Sequence, residues 1–287
     1  MSQSTHFKAG LVQLRSVRDL DSNVRTACDF IREAAASGAH YIQTPENTTT
    51  MGLEREALIA KTLPEPGNPY LARFAALAAE LKVWLHVGSM GVKVKDDQLA
   101  NRAFLIRPDG TIAARYDKIH MFDVDLPGGE SYRESKRFTP GREAVLADLP
   151  WGRIGLTICY DIRFPALYRT LAKGGAQILT APAAFTKPTG EAHWHVLLRS
   201  RAIENLSFML AAAQGGMHEN GRATYGHSII ISPWGEVLAE AGVEPCVITA
   251  DIDLAKVSEA RGRIPSLQHD RPFALAAAAR TTLKAAS

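Results

Sequence analysis

Short apolar runs alternate with amphipathic stretches along most of the chain. Phe7 to Leu14 is apolar-rich and free of proline, as a buried strand requires. After it, Val24, Ala27, Cys28, Ile31 and Ala35 recur at helical spacing, which predicts a helix over 19–36. Asp19 or Asp21 can cap its start and Gly38 its end. A short strand at 41–44 then runs into Thr44-Pro45-Glu46-Asn47. A second amphipathic helix follows Pro69, with Leu71, Phe74, Ala75, Ala78 and Leu81 facing inward.

Further strands are expected at 84–90, 102–106 and 113–116, the last two joined by the turn Pro108-Asp109-Gly110. Residues 118–142 read as one long polar loop, a length that in compact domains marks function or disorder. Strands at 145–148 and 154–158, a helix at 165–173, a strand at 177–180 and a helix at 192–204 come next. Strands at 208–213, 227–232, 236–239 and 247–252 complete the pattern. Strands interleaved with helices predict an α/β protein whose sheet faces are covered. The β–β connections at 108–110 and 233–235 argue against a purely parallel sheet. No repeat, linker or charge run marks a boundary, so 1–287 reads as a single domain, with the Ala-rich stretch 274–287 a C-terminal tail suited to a partner arm.

Composition then removes whole classes of function. An apolar fraction of 46% in 287 residues supports a large core and excludes wholesale disorder. Lys plus Arg less Asp plus Glu is 33 − 30 = +3, evenly spread, which argues against nucleic acid or a membrane surface as partner. No apolar run approaches the roughly 20 residues of a membrane span, and the N-terminus lacks a signal core. Cys28, Cys159 and Cys246 are too few and too odd in number for a disulfide framework, so a reducing, cytoplasmic setting is expected.

One of these thiols has a chemical context. In Ile158-Cys159-Tyr160-Asp161-Ile162-Arg163-Phe164-Pro165 a buried strand turns into a helix at Cys159. A thiol on such a turn is held rigidly, and the N–H of Tyr160 can point at the same space, as an acyl-transfer nucleophile and its oxyanion donor require. Local sequence alone weighs this evenly against an inert buried thiol. Cys28 falls on the inner stripe of a helix and Cys246 at a strand start, both structural positions. Glu46 and Lys118 also fall at strand ends, where each alone reads as a surface or cap residue. Together, a carboxylate to take the thiol proton and an ammonium to hold the resulting charge complete a mechanism. A metal reading of His193 and His195 fails, because residues two apart on a helix diverge by about 200°. His218 and His227 form no recognised ligand spacing, so no metal is expected.

Three ordered segments resemble the nitrilase superfamily of carbon–nitrogen hydrolases: Glu46 in Thr-Pro-Glu-Asn, Lys118 in Tyr-Asp-Lys-Ile-His, and Cys159 in Cys-Tyr-Asp-Ile-Arg-Phe-Pro. The resemblance covers about 8–263 and implies a four-layer α-β-β-α sandwich, a Glu-Lys-Cys triad, no cofactor, and pairing into a homodimer or larger homo-oligomer. It also implies that Glu134 is a second glutamate positioning the site and the attacking water, with Glu130 the weaker candidate. The stretches 182–190, Ala192-His193-Trp194 and Tyr225-Gly226-His227-Ser228 are similar to the branch holding deaminated glutathione amidase and omega-amidase. Ala211-Ala212-Ala213-Gln214 with His218 leans toward the former. That branch implies cleavage of deaminated glutathione to 2-oxoglutarate and cysteinylglycine, with Tyr160, Arg163, Phe185 and Thr189 contacting substrate. Rival readings are an omega-amidase for 2-oxoglutaramate, an N-carbamyl hydrolase and a catalytically silent scaffold. Ala166 and His195 stand where the family usually has Glu, which bears on substrate choice rather than on the triad.

Overall fold

The computed structural model describes residues 5–95, 97–126 and 129–276. Two six-stranded sheets carry the architecture. In spatial order the first is Cys246–Asp253, His6–Gln13, Tyr41–Gln43, Trp84–Lys95, Gln98–Ile106 and Ile112–Asp117. The second is Val237–Glu240, Ile229–Ile231, Phe208–Ala211, Ile178–Thr180, Arg153–Leu156 and Val145–Asp148. Each has three parallel strands at its centre and antiparallel strands outside them.

The two-residue period of a strand sorts side chains between two cores. Leu11, Tyr41, Trp84 and Leu105 face the second sheet, where they meet Ile154, Leu156, Ile178 and Phe208. Their neighbours Val12, Ile42, Leu85 and Ile106 face outward, onto the helices Leu20–Ala36 and Pro69–Leu81. Pro165–Lys173 and Lys187–Asn205 cover the other sheet. The result is the four-layer α-β-β-α sandwich, in which each fully buried large apolar side chain contributes about 1.5–3 kcal/mol. Three fully buried glutamines staple the sheets at one end. The Gln43 Oε1 accepts from the Ala212 N–H at 2.9 Å, the Gln13 Oε1 from the Ser228 N–H at 2.9 Å, and the Gln214 Nε2 donates to the Ser16 Oγ at 2.8 Å.

Local signals explain the helix ends. Asp19 caps the first helix by accepting from the Ser22 N–H at 2.7 Å, and Gly38 leaves it with φ 84. In the second, Leu77 is buried while Ala75 and Leu81 are only partly so, which rotates the inner stripe slightly from the expected one.

Elsewhere the structure corrects the sequence reading. Residues 118–142 are not a plain loop: Asp123–Asp125 pairs with Ser131–Arg133, and a 3-10 turn spans Glu134–Lys136. These strands are three residues long and polar, so they show no apolar alternation. The helix expected from 192 begins at Lys187, because Pro188 sits in its first turn, where a missing N–H costs nothing. The helices Arg55–Lys61 and Ala255–Arg263, and the hairpin Gly215–Met217 with Ala223–Tyr225, were not anticipated. Of the expected tail, 277–287 lies outside the described residues. Among the described residues no helix is long and apolar enough to cross a membrane.

Candidate active site

Glu46 follows the strand Tyr41–Gln43, and Lys118 follows Ile112–Asp117 in the same sheet. Cys159 comes three residues after Arg153–Leu156 in the other sheet. Close approach of the two sides depends on Gly88, where a Cβ would overlap the Thr44 carbonyl, Pro45 and Pro182. Pro182 in turn accepts the N–H of Cys159 at 2.9 Å. Cys159 opens a 3-10 turn, Cys159–Arg163, with φ 49, a left-handed conformation that costs a non-glycine residue on the order of 1–3 kcal/mol. The sharp turn aims its sulfur back at the first sheet.

All three side chains are buried: Glu46 is 3% exposed, Lys118 2% and Cys159 7%. The Lys118 Nζ donates to the Glu46 Oε1 at 2.8 Å and to the Glu134 Oε2 at 2.8 Å, so the ammonium bridges two carboxylates. The Asn101 Nδ2 also spans both, donating to Glu46 at 3.0 Å and to Glu134 at 3.2 Å. The second oxygen of Glu46 accepts the Ala184 N–H at 3.0 Å, and that of Glu134 accepts the Phe122 N–H at 2.7 Å. Glu46 also interacts with the Cys159 thiol, which helps to hold its carboxyl down. Of the two candidate glutamates, Glu134 is the one that reaches Lys118; Glu130 is exposed at the cavity rim, where it accepts from the Tyr132 hydroxyl.

These contacts decide the resting protonation state. Burial opposes ionisation of Glu46, but the charge and hydrogen bond of Lys118, aided by Cys159 and Arg222, outweigh it and hold the carboxyl below its usual range. Burial first, and then the Glu46 charge, push the Cys159 thiol well up against the pull of Lys118. Lys118 is itself desolvated, yet Glu134 and Glu46 raise it well above an ordinary lysine. The three groups rest as carboxylate, ammonium and neutral thiol, an arrangement that places an unprotonated carboxylate beside a thiol proton.

Four groups here were not anticipated: Asn101, the N–H groups of Ala184 and Phe122, and Asp161. Asp161 is fully buried two residues past Cys159. It accepts from the Tyr116 hydroxyl at 2.6 Å and from the Ile158 N–H at 2.9 Å. Its other oxygen accepts from the His120 N–H at 3.0 Å and the His120 ring at 2.7 Å. It lay inside the quoted Cys159 motif, but nothing local distinguished it from a turn residue.

A cavity of about 630 Å³ opens over the thiol, lined by Tyr160, Phe185 and Thr189 among others. Arg163 stands behind that wall, its guanidinium 5.4 Å from the Phe185 ring centroid, 5.8 Å from that of Tyr160, and donating to the His193 Nδ1 at 3.4 Å. Six basic side chains line the cavity, Lys118, Arg55, Arg133, Lys136, Arg137 and Arg222, against the three acidic ones Glu46, Glu130 and Glu134. Two of those acids, Glu46 and Glu134, share the single positive charge of Lys118. Arg222 lies over the Tyr132 ring and donates to the Ala184 carbonyl.

Comparison with known proteins places the chain in a family. Residues 8–262 match the carbon-nitrogen hydrolase family. The chain is 38% identical to the human omega-amidase NIT2 over 268 residues, covering 93% of this chain and 96% of that one. It is 40% identical to the deaminated glutathione amidase of Yersinia enterocolitica over 266 residues, covering 91% and 92%. Among solved structures, the C. elegans NitFhit protein superposes with a TM-score of 0.87 at 35% identity, covering 94% of this chain and 66% of that longer one. Saccharomyces cerevisiae Nit3, of branch 10 of the nitrilase superfamily, superposes at 0.82 with 28% identity, covering 91% and 94%. On fold, on family match and on relatives aligned along almost its whole length, this chain belongs to the carbon-nitrogen hydrolase family.

Proposed function

We propose that the chain is a cysteine amidase that cleaves linear amides through a thioester on Cys159. The observation that carries this is the buried contact of Glu46, Lys118 and Cys159 in the carboxylate, ammonium and thiol state. Glu46 takes the thiol proton as sulfur attacks the amide carbon. Lys118 and the Tyr160 N–H stabilise the oxyanion, and Glu46 passes the proton to the departing amine. Water then gives a proton to Glu46 and attacks the thioester, with Glu134 orienting it. Collapse releases the acid, and the thiolate takes the proton back.

The substrate we infer is deaminated glutathione, cleaved to 2-oxoglutarate and cysteinylglycine. A cavity with three more basic than acidic side chains suits a substrate carrying carboxylates, and its volume is that of a site for a drug-sized ligand, on the order of 300–1,000 Å³. Tyr160, Phe185 and Thr189 wall the acyl part, and Arg163, stacked behind Phe185, forks onto its carboxylate by a small swing of the side chain. The likeness to human omega-amidase NIT2 sustains one rival, 2-oxoglutaramate.

The deciding experiment follows release of 2-oxoglutarate from both compounds, with an N-carbamyl amino acid alongside and Cys159→Ala as control. Preference for deaminated glutathione, lost in the variant, is the expected result. Preference for the small oxo-amide moves the assignment to omega-amidase. Turnover of none of the three favours a silent scaffold.

The chain also pairs with a second copy in this reading. Val196, Ile203, Trp234 and Ile264 are 66%, 47%, 51% and 47% exposed, and the last three line one groove. Light scattering is expected to give a dimer or larger that Ile203→Glu dissociates. Three free thiols, of which Cys28 and Cys159 are buried, fit a cytoplasmic setting.

A further inference from the structure

Outside the cavity, two imidazoles from distant parts of the chain converge on one carboxylate. His195 lies on the helix Lys187–Asn205, His227 just before the strand Ile229–Ile231, and Glu240 at the end of Val237–Glu240, paired in register with Ile229. The His195 Nε2 and the His227 Nδ1 both lie 2.8 Å from the Glu240 Oε1. The three donor atoms lie within 4.8 Å of one another. We propose that His195, His227 and Glu240 bind a divalent transition-metal ion of the zinc type, with water completing the coordination.

Two neutral imidazoles and a carboxylate are the donors such an ion prefers, and three protein ligands leave one position for solvent. Tetrahedral bonds of about 2.0–2.2 Å put ligand atoms roughly 3.3 Å apart, so each histidine–carboxylate pair, now at 2.8 Å, has to open by about half an ångström, and the two ring nitrogens, within 4.8 Å of each other, have to settle at that same spacing. Without metal, each ring offers an N–H to Glu240. With metal, each stays neutral and carries its proton on the other nitrogen, Nδ1 of His195 and Nε2 of His227.

The trio is already held in place. His227 has φ 54, its ring stacks on Tyr225 at 4.3 Å, and its carbonyl accepts the Trp194 Nε1–H at 2.8 Å. Trp194 packs against Phe185, with ring centroids 5.0 Å apart, and Phe185 lines the catalytic cavity. A bound ion thus fixes a strut behind that wall.

The test uses tag-free Cys159→Ala protein, so that the nucleophile takes up no metal, stripped with chelator and titrated calorimetrically with zinc ion at neutral pH. One zinc per chain and a rise in Tm on binding are expected. His195→Ala and Glu240→Gln, each made in that protein, are expected to weaken binding more than about tenfold and to abolish the rise. Circular dichroism and Tm without metal verify that both variants fold. No zinc uptake, or uptake unchanged in both variants, overturns the proposal.

Discussion

Asp161 holds His120 by two hydrogen bonds, from the backbone N–H at 3.0 Å and from the ring at 2.7 Å. Asp161 is two residues past Cys159 and His120 two past Lys118, so one buried carboxylate sets the distance between the nucleophile and the ammonium. The Tyr116 hydroxyl, on the other side of Lys118, binds the same carboxylate. Asp161→Asn keeps the shape but cannot accept all four bonds. It is expected to lower kcat about 10²-fold, with KM changed by less than about threefold. Steady-state kinetics on folded variant decide; an equal loss in KM alone would make Asp161 a substrate contact.

Glu134 shares the Lys118 ammonium with Glu46. Replacing it by Gln removes one negative charge and leaves Lys118 to act on Glu46 alone. The base becomes weaker, so kcat/KM is expected to fall on the order of 10²-fold. Its acid limb should move to lower pH, a shift that a purely structural defect does not produce.

The resting state also predicts the pH profile of the parent enzyme. Glu46 loses its proton below its ordinary value of 4.5, while Cys159 and Lys118 keep theirs well above 9.0 and 10.5. The active form is therefore full across neutrality, and kcat/KM should be flat from about pH 6 to pH 9. A bell centred near pH 7 would mean that a group other than Glu46 and Cys159 moves the proton instead.

His86 gives acid a way to unfold the protein. It is fully buried, bonded through Nδ1 to the Tyr41 hydroxyl at 2.8 Å, and its pKa is lowered by burial from 6.5 to about 3. Between those values the unfolded chain binds the proton and the folded chain does not. The contribution to stability is complete above pH 6.5 and declines as pH falls, by about 2 kcal/mol on reaching pH 5. Urea midpoints at pH 8, 6.5 and 5 measure it. In His86→Gln the drop across this range should shrink by that amount, whatever the variant's stability at pH 8.

What could be read from sequence and what could not divide along a physical line. The strand at Phe7, the helix capped by Asp19 and the turn at Cys159 each owe their form to residues within a few positions, and periodicity exposes them. That Glu46, Lys118 and Cys159 would converge could be expected because each sits in a recognisable segment of its own, and the structure does bring them together. Asn101 reaches Glu46 across 55 positions and the Ala184 N–H across 138, and no local pattern records such pairings. His195 was judged against its neighbour His193, from which it does diverge: His193 meets Arg163 while His195 meets Glu240. Its actual companions, His227 just before the strand Ile229–Ile231 and Glu240 at the end of Val237–Glu240, are brought beside the helix by the fold. The hairpin within 118–142 escaped because its strands bury no continuous apolar face.

The placement of the reacting groups turns the enzyme into a gauge of its own assembly. Glu46 and Lys118 hang from one sheet, Cys159 and Ala184 from the other, and the sheets meet through side-chain packing, the glutamine bonds, the backbone bonds of Leu14 and the bonds of Asp161 to Tyr116 and His120. Slippage of one sheet over the other by about 1 Å leaves secondary structure and most burial intact, yet separates base from thiol by enough to cost on the order of 10²-fold in rate. Activity on warming should therefore fade while circular dichroism is still native, because chemistry registers the docking of the two halves before spectroscopy registers the loss of either.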